Sequence, residues 1–379
     1  MNPIDWNTFT ITDLATLKGK RVLVRVDLNL PTNDGVITDR VRLDEIIPFV
    51  KDLSFAGAKI ILLSHFGEKG ESIKPVADLV TKSLSGFHFV ESLDIQEIAK
   101  AVDTLPLGDG IILQNSRMFP GETDNTPTCA RNFASLCDIF INDAFSVCHR
   151  THASVVGVTG YVLSYFGPTL VKEVTHLSAA AHPEKPALLI IGGAKISTKL
   201  DLIKHYLDQG VHVFIGGAMV HNILKEKGLS IGKSLYDPHY EAPESLYNHP
   251  LLMIPIDVIL QDGKECKVDE IPSDGVVVDC GKETLKNLDA EISKAKTIIV
   301  NGPLGLYEKG FLHGTEHMLT SVANTVGVKT YIGGGDTVEV AEKAHVLEKI
   351  SFVSLGGGAM LDYLANGTLP GIDAVTKRR

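Results

Sequence analysis

Short runs of Val, Ile and Leu, such as those at 188–191 and 298–300, recur along the whole chain. The stretches between them place apolar residues at helical spacing. Alternation of short apolar runs with amphipathic helices is typical of βαβ units, in which parallel strands are covered by helices on both faces. The pattern therefore predicts an α/β protein built on parallel sheets flanked by helices.

The residues that follow these runs differ between the two halves of the chain. In the first half the runs end in polar residues, at 25–29, 64–67, 114–117 and 142–145. In the second half they end in glycine, at 192–195, 216–219, 301–305, 333–337 and 356–359. Open parallel sheets bind ligands beyond the carboxyl ends of their strands. We therefore expect the two halves to bind different ligands.

The length of 379 residues exceeds one ordinary core and favours two domains. A break at Gly167-Pro168 precedes a predicted helix from 169 to about 181, which is followed by two further prolines. This pattern predicts a first domain at 1–167, an interdomain helix or hinge at 168–182 and a second domain at 183–367.

Composition excludes several classes of protein. No apolar run approaches the ~20 residues of a membrane span, and the first ten residues lack the pattern of a secretory signal, so we expect a cytoplasmic protein. The five cysteines are odd in number and not closely paired, which disfavours a disulfide framework. A net charge of -10 offers no general attraction for nucleic acid, so an anionic ligand must be held by local basic groups.

The glycine-rich strand ends of the second half predict a phosphate site, because they present backbone N–H groups at helix N-termini. Tight strand-to-helix turns are the alternative for each cluster. Lys195 and Lys199 are four residues apart and are expected on one helix face, either facing phosphate or facing solvent. Asp336 is a candidate Mg²⁺ ligand together with nucleotide phosphates; a helix N-cap is the alternative role, and the two can coexist. Residues 228–234 resemble a P-loop but are one residue short between the glycines.

The first half carries dispersed arginines, Arg42, Arg117 and Arg150, each beside a strand end. Together they suit one small polyanion, whereas each alone commonly forms a surface ion pair. Asp27 and Asn29 suit the hydroxyl of a small acid, with a turn before the following proline as the alternative.

The pair His149 and His152 has no accompanying carboxylate or cysteine pattern, which favours an anion or loop hydrogen bond over a metal. Covalent catalysis has no support, since no Ser-His-Asp or Cys-His pattern occurs.

From Lys20 to Gly371 these motifs resemble, in order, those of the phosphoglycerate kinase family. Residues 25–31 and 39–43 are similar to its opening substrate motif and the segment with its key arginine. The motifs at 64–67, 114–117, 142–145 and 149–154 are similar to its remaining substrate motifs. The nucleotide and transfer motifs of the family have counterparts at 192–199, 301–308, 333–337 and 356–359.

The resemblance implies two Rossmann-like domains that face each other across a cleft, with residues 368–379 returning to the first. It implies that the first domain binds 3-phosphoglycerate or 1,3-bisphosphoglycerate and the second binds ADP or ATP with Mg²⁺. It further implies a monomer that transfers a phosphoryl group in line on domain closure, in glycolysis and gluconeogenesis, with neither nucleic acid nor membrane as partner.

The resemblance also implies roles for individual residues. Those implied for the acid are Asp27, Asn29, Arg42, His65, Gly67, Arg117, Arg150 and His152. Those implied for the nucleotide are Gly193, Ala194, Lys195, Lys199, Gly216, Gly217, Asn301, Gly302, Pro303, Leu304, Glu308, Gly334, Gly335, Asp336 and Thr337. The implied catalytic groups are Arg42, Lys195, Lys199, Gly334 and Gly357.

Three positions depart from the family pattern. Glu68 stands where the family has an arginine, Gln114 where it usually has glutamate, and Thr198 where many members have aspartate. Lys69 is a candidate to replace the missing positive charge. Two other interpretations therefore stay open: a related kinase for another small phosphorylated or carboxylated acid, and a catalytically weak nucleotide-binding or partner-binding module.

Overall fold

The computed structural model describes residues 5–68 and 70–377, so Lys69 lies outside the described residues. The chain divides into two compact units, Met1–Thr175 with Thr368–Arg379, and His176–Gly367. The division falls within the helix Pro168–Ala181, which lies where the sequence predicts a helix. None of the helices in the described part of the chain has both the length and the apolar character that a membrane span requires.

The first unit is an α/β layer structure. Its strands are β1 (Arg21–Arg25), β2 (Thr32–Asn33), β3 (Val36–Ile37), β4 (Lys59–Leu63), β5 (Phe87–Val90), β6 (Gly110–Leu113), β7 (Ile139–Asn142) and β8 (Leu163–Phe166). Its helices are α1 (Val41–Phe55), α2 (Lys74–Ser83), α3 (Ile95–Asp103), α4 (Pro127–Ser135) and the start of α5 (Pro168–Ala181). Short 3₁₀ turns lie at Trp6–Phe9, Leu14–Leu17, Ser116–Met118, Phe145–Val147 and Gly157–Gly160.

Six parallel strands form the main sheet of this unit, in the order β5-β6-β4-β1-β7-β8, and β2 pairs with β3 in a small hairpin. Successive residues of β1 enter different cores: Val22 and Val24 pack on one face and Leu23 on the other. Strand residues point alternately to the two faces of a sheet, so a strand that is apolar at every position must be covered on both sides. The helices supply that cover.

The second unit repeats this architecture. Its strands are β9 (Ala187–Ile191), β10 (His212–Ile215), β11 (Leu252–Met253), β12 (Asp257–Leu260), β13 (Glu265–Lys267), β14 (Val277–Cys280), β15 (Thr297–Asn301), β16 (Lys329–Gly333) and β17 (Phe352–Ser354). Its helices are α6 (Leu200–Asp208), α7 (Met219–Glu226), α8 (Glu244–Tyr247), α9 (Lys282–Ile292), α10 (His313–Ala323), α11 (Gly335–Lys343) and α12 (Gly358–Asn366). Its 3₁₀ turns are Ile196–Thr198, Val268–Glu270, Tyr307–Lys309 and Leu347–Lys349.

Six parallel strands in the order β11-β10-β9-β15-β16-β17 form the main sheet of the second unit, and β13-β12-β14 form a small antiparallel sheet. Leu188, Ile190 and Val300 pack into one core with residues of α9 and α10. The predicted fold class, two Rossmann-like units with helix-flanked parallel sheets, is therefore confirmed.

The last helix, α13 (Pro370–Thr376), belongs to the first unit. Leu369, Ile372 and Val375 are buried, and the backbone N–H of Gly371 donates to the carbonyl of Cys148 at 2.8 Å. A Cβ at Gly371 would lie 2.8 Å from Val155 Cγ1, so a side chain there would force the helix away. The C-terminal segment is therefore part of the packing of the first unit.

We predict that Ile372→Ala loosens the first unit and leaves the second unchanged. Ile372 is fully buried, and removing such a side chain costs about 2–5 kcal/mol. Hydrogen exchange followed by mass spectrometry should show faster exchange in β8 and Gly157–Gly160, which α13 contacts. The control Lys377→Ala removes an exposed residue of the same segment. Equal exchange in both variants would contradict this role of the segment.

Candidate functional site

The polar strand ends of the first unit lie at one edge of its sheet. The strands β1, β4, β6 and β7 run parallel, with β4 between β6 and β1 and β1 next to β7. Arg25, the last residue of β1, is paired with Leu63 of β4 and Asn142 of β7. Chain segments that the sequence separates by tens of residues therefore leave the sheet side by side.

Asp27 and Arg42 form an ion pair at this edge. Arg42 Nη1 lies 2.6 Å from Asp27 Oδ2 and donates to the carbonyl of Asn29 at 3.2 Å. The hydroxyl of Ser146 donates to the same Asp27 oxygen at 2.5 Å. Burial alone would raise the pKa of Asp27, but Arg42 and this hydroxyl hold it below its usual value. Two predicted site residues are thus preorganised by direct contact, because each fixes the other's side chain.

The loop after β4 is held by side chains from other strand ends. Asn29 Oδ1 accepts the backbone N–H of Gly67 at 2.9 Å, and Arg117 Nη1 donates to the Gly67 carbonyl at 2.7 Å. Asn115 Nδ2 donates to the carbonyls of Phe66 and Glu71, at 2.6 and 2.7 Å. Asn29 and Arg117, which the resemblance connects with the acid, therefore also hold the backbone around Glu68, together with Asn115.

A buried polar chain that the sequence analysis missed lies beneath this edge. Arg25 Nε donates to Ser154 Oγ at 3.1 Å, and that hydroxyl donates to Glu122 Oε1 at 2.5 Å. Burial lowers the pKa of Arg25 and raises that of Glu122. The sequence did contain one indication of this chain: Arg25 is a charged residue at the end of an apolar strand, and a buried charge requires a partner. The sequence around Glu122, 97 residues further along, gives no indication that it is that partner.

The two predicted site histidines are neutral. Burial and the neighbouring arginines, Arg25 first, lower the pKa of His65 to about 3 and that of His152 to about 4. A guanidinium only donates hydrogen bonds, so His65 Nδ1, 3.4 Å from Arg25 Nη2, must accept and its proton lies on Nε2. Arg150 is exposed, and its charge is among those that lower the pKa of His152. Arginines thus supply the positive charge of this site.

In the second unit the glycine-rich strand ends surround a cavity of about 570 Å³. Its wall includes apolar side chains of the small antiparallel sheet and of neighbouring loops, such as Leu235, Val258 and Val278. The residues predicted for the nucleotide that line it are Gly193, Ala194, Gly217, Pro303, Leu304, Glu308 and Asp336. The structure therefore joins the loops after β9, β10, β15 and β16 around one space.

Three of these loops pack backbone against backbone. A Cβ at Gly192 would lie 2.1 Å from the Pro303 carbonyl oxygen, and one at Gly302 would lie 2.3 Å from that of Gly192. A Cβ at Gly217 would lie 2.7 Å from the backbone nitrogen of Gly193. Gly216 is similarly enclosed, by the side chain of Leu304. These glycines are therefore required for the close packing of the loops on one another.

The glycine clusters at 333–337 and 356–359 differ from the first three, because each contains a glycine with open space around it. A Cβ at Gly335 or Gly357 would meet nothing within 4 Å. The helices α11 and α12 begin after Gly334 and Gly357, with φ of 95° and 53°, and neither helix has a side-chain N-cap within the described residues. Asp336 is therefore not an N-cap, and this alternative is wrong. The first N–H groups of both helices suit an anion, because no side chain caps them.

Lys199 is partly buried and in contact with the strand ends. Its Nζ donates to the carbonyl of Gly192 at 2.7 Å and to Asn301 Oδ1 at 3.0 Å. Burial lowers the pKa of Lys199 to about 8, against the opposing charge of Asp336. Asn301 Nδ2 is buried and makes no hydrogen bond within the described part of the chain. The pair thus presents one ammonium and one unpaired amide donor beside the glycine loops.

The prediction that Lys195 and Lys199 share a helix face is wrong. The segment between them is the 3₁₀ turn Ile196–Thr198, and Lys199 precedes the first residue of α6. Lys195 is extended and exposed, whereas Lys199 is partly buried. A turn with three residues per repeat does not align positions four apart. The two lysines therefore have different environments.

Two further predicted residues have structural partners. Thr337 Oγ1 accepts the backbone N–H of Gly302 at 2.7 Å, which joins the start of α11 to the loop after β15. The exposed carboxylate of Asp336 accepts the hydroxyl of Tyr307 at 2.6 Å on Oδ1. Tyr307, which the sequence analysis missed, lines the same cavity.

These residues fit Mg²⁺ only as part of a metal–nucleotide complex. No group of three or more His, Cys, Asp or Glu residues suited to a metal occurs among residues 5–68 and 70–377. Magnesium is commonly bound through one or two carboxylates together with phosphate oxygens and water. The single carboxylate of Asp336 is sufficient for such a site when phosphates supply the other ligands.

The fold and the strand ends define a class: an α/β protein in which arginine-containing strand ends and a glycine-lined cavity occupy separate Rossmann-like units. A sequence model of the phosphoglycerate kinase family matches residues 11–367. The chain therefore belongs to the phosphoglycerate kinase family, which makes it a kinase and a transferase.

Relatives and solved structures agree with this membership. The chain is 38% identical to the phosphoglycerate kinase of Thermosipho africanus, with 98% of each sequence covered, and 36% identical to that of Leptospira biflexa, covering 95% of this chain and 96% of the relative. The structure of the Coxiella burnetii enzyme matches with a TM-score of 0.81 at 33% identity, covering 96% of this chain and 97% of that one. The Pyrococcus horikoshii enzyme matches with a TM-score of 0.85 at 26% identity, over 97% and 98% of the chains.

We predict that His65 and His152 stay neutral throughout the pH range 5 to 8 in the ligand-free protein. Their pKa values, about 3 and about 4, lie below that range, so lowering the pH to 5 protonates neither ring. NMR of the ring carbons, assigned with His65→Gln and His152→Gln, should show shifts that do not change. A titration step near pH 6.5 in either ring would contradict the buried environment described here.

Proposed function

We propose that the chain catalyses the reversible transfer of a phosphoryl group from 1,3-bisphosphoglycerate to ADP, which yields 3-phosphoglycerate and ATP. This is a phosphotransfer with a carboxyl group as acceptor, and it belongs to glycolysis and gluconeogenesis. One observation carries the proposal: side-chain guanidinium groups dominate the site of one unit, whereas uncapped helix N-termini and glycine loops dominate that of the other. The two units are therefore suited to two chemically different anions.

The first unit suits a small phosphorylated acid. Arg42, Arg117 and Arg150 supply the charge, and guanidinium groups match the paired oxygens of carboxylate and phosphate. Neutral His65 carries its proton on Nε2 and provides a donor without adding charge. Asp27 accepts hydrogen bonds and suits the hydroxyl of a hydroxy acid, while Asn29 helps to hold the adjoining loop. We assign His152 and Gly67 to the same substrate.

The second unit suits a nucleoside diphosphate with its metal. The apolar part of the cavity wall fits a base, and the glycine loops let phosphates approach the backbone. The N-termini of α11 and α12, together with Lys199, face the charge of the phosphates, and Asp336 holds Mg²⁺ carried by them. Bound Mg²⁺ neutralises charge on the phosphate oxygens.

The mechanism we propose is direct in-line transfer. The carboxylate of 3-phosphoglycerate and the terminal phosphate of ADP are anionic at neutral pH, so neither nucleophile needs a general base. The protein then contributes position and charge stabilisation. Lys199 and the backbone N–H groups near Gly334 and Gly357 hold the moving group from the nucleotide side, and Arg42 holds it from the acid side.

Transfer requires the two ligands to meet, which we propose occurs by hinge closure that excludes water. The helix α5 carries the chain from one unit to the other. Its N-terminus is attached to the end of β7, since the backbone N–H of Leu170 donates to Asp143 Oδ1 at 3.0 Å. We further propose that the enzyme acts as a cytoplasmic monomer.

We predict that Lys199→Ala lowers kcat for 3-phosphoglycerate and MgATP by roughly 100-fold or more, which is typical for loss of one charge-stabilising group. Lys204→Ala is the matched control, because it removes an exposed lysine from the helix α6 that follows Lys199 and should cost much less. A coupled spectrophotometric assay measures both. A wild-type protein without turnover would contradict the reaction, and equal losses in both variants would contradict the role of Lys199.

We predict that Glu68→Arg lowers KM for 3-phosphoglycerate by about two- to fivefold, because an exposed charge pair contributes up to about 1 kcal/mol. KM for MgATP should stay unchanged, since the change lies in the first unit. Glu91→Arg adds the same charge at another exposed position of that unit. An unchanged KM would favour another acid as substrate, to be sought among small phosphorylated and carboxylated acids.

A further inference from the structure

Tyr307 connects the core of the second unit to the carboxylate proposed for magnesium. Its ring packs against the core that includes Ile298, Val300 and Ile332. Its hydroxyl lies 2.6 Å from Asp336 Oδ1. The tyrosine is the first residue of the 3₁₀ turn after β15, and the aspartate lies in the first turn of α11. One side chain therefore joins two neighbouring strand-end loops.

The direction of this hydrogen bond is determined by chemistry. A phenol O–H donates and a carboxylate oxygen accepts. Asp336 is exposed and makes no side-chain N-cap bond within the described residues. The tyrosine is the partner that orients its carboxylate.

We propose that Tyr307 is a positioning residue for metal-bound nucleotide: its hydroxyl holds Asp336 Oδ1 so that Oδ2 is directed to the cation. The proposal rests on the function proposed above. Partners that hydrogen-bond to a metal-ligating carboxylate fix its orientation and raise the affinity for the metal. Because the ring of Tyr307 is fixed by the core, the carboxylate is oriented before the nucleotide arrives.

The proposal predicts different effects on the binding of ADP without metal and on the binding of ADP with Mg²⁺. Removing only the hydroxyl leaves the ring, the cavity wall and the glycine loops in place. Binding of metal-free ADP should then be almost unchanged. Binding of ADP with Mg²⁺ should weaken, because the carboxylate loses its fixed orientation. A residue with only a packing role would alter both affinities by the same factor.

The test is isothermal titration calorimetry of Tyr307→Phe with ADP, in EDTA and in saturating MgCl₂. We expect Kd for ADP in MgCl₂ to rise roughly tenfold, at the lower end of the about 10- to 100-fold typical for loss of such a partner. In EDTA the change should stay below about twofold. Tyr247→Phe is the matched control: it removes a hydroxyl from α8, and its ring contacts Lys227 rather than the cavity.

A second arm repeats Tyr307→Phe in an Asp336→Ala background, where the hydroxyl has no carboxylate to orient and its loss should have no effect. The proposal is overturned if the two affinities of Tyr307→Phe change equally, if Mg²⁺–ADP binds as tightly as or more tightly than in the wild type, or if the effect persists without Asp336. Wild-type protein that binds no ADP in either buffer would instead overturn the proposed function. The two failures are thus distinguishable.

Discussion

Parallel pairing of the central strands is the constraint on which both sites depend. In the first unit it sets Arg25 beside Leu63 and Asn142, and in the second it sets Asn301 between Ile191 and Gly333. Every strand of a parallel sheet ends at the same edge, so the loops that follow the strands lie side by side even when they are distant in sequence. Strand pairing alone brings them together. The chemistry then depends on what each loop carries.

The same edge is used in two different ways. In the first unit, charged and amide side chains bind one another: Asp27 holds Arg42, Asn29 holds Gly67, and Arg25 reaches Glu122 through Ser154. This network compensates the burial of charge, which otherwise disfavours ionised groups. Its consequence for the site is that positive charge comes from arginine while the histidines are kept neutral.

In the second unit the backbone itself forms the edge. The glycines at 192, 217 and 302 permit contacts that any Cβ would prevent, and this close packing holds the loops in place. Where the packing ends, at Gly335 and Gly357, the helix N-termini begin without side-chain caps. Glycine therefore has two roles in this unit: in some loops it allows close packing of backbone on backbone, and at the start of α11 and α12 it leaves the first N–H groups uncovered.

The sequence by itself determined the fold class and the helix that follows Gly167, and it predicted strand ends as the candidate sites, because apolar periodicity and glycine placement are local properties. It also predicted that Asp27, Asn29, Arg42, His65 and Arg117 belong to one site, through motif resemblance. Only the tertiary structure decided which partner each side chain has. The chain from Arg25 to Glu122, the different environments of Lys195 and Lys199, and the bond from Tyr307 to Asp336 all depend on how distant segments pack, and no local pattern encodes those distances.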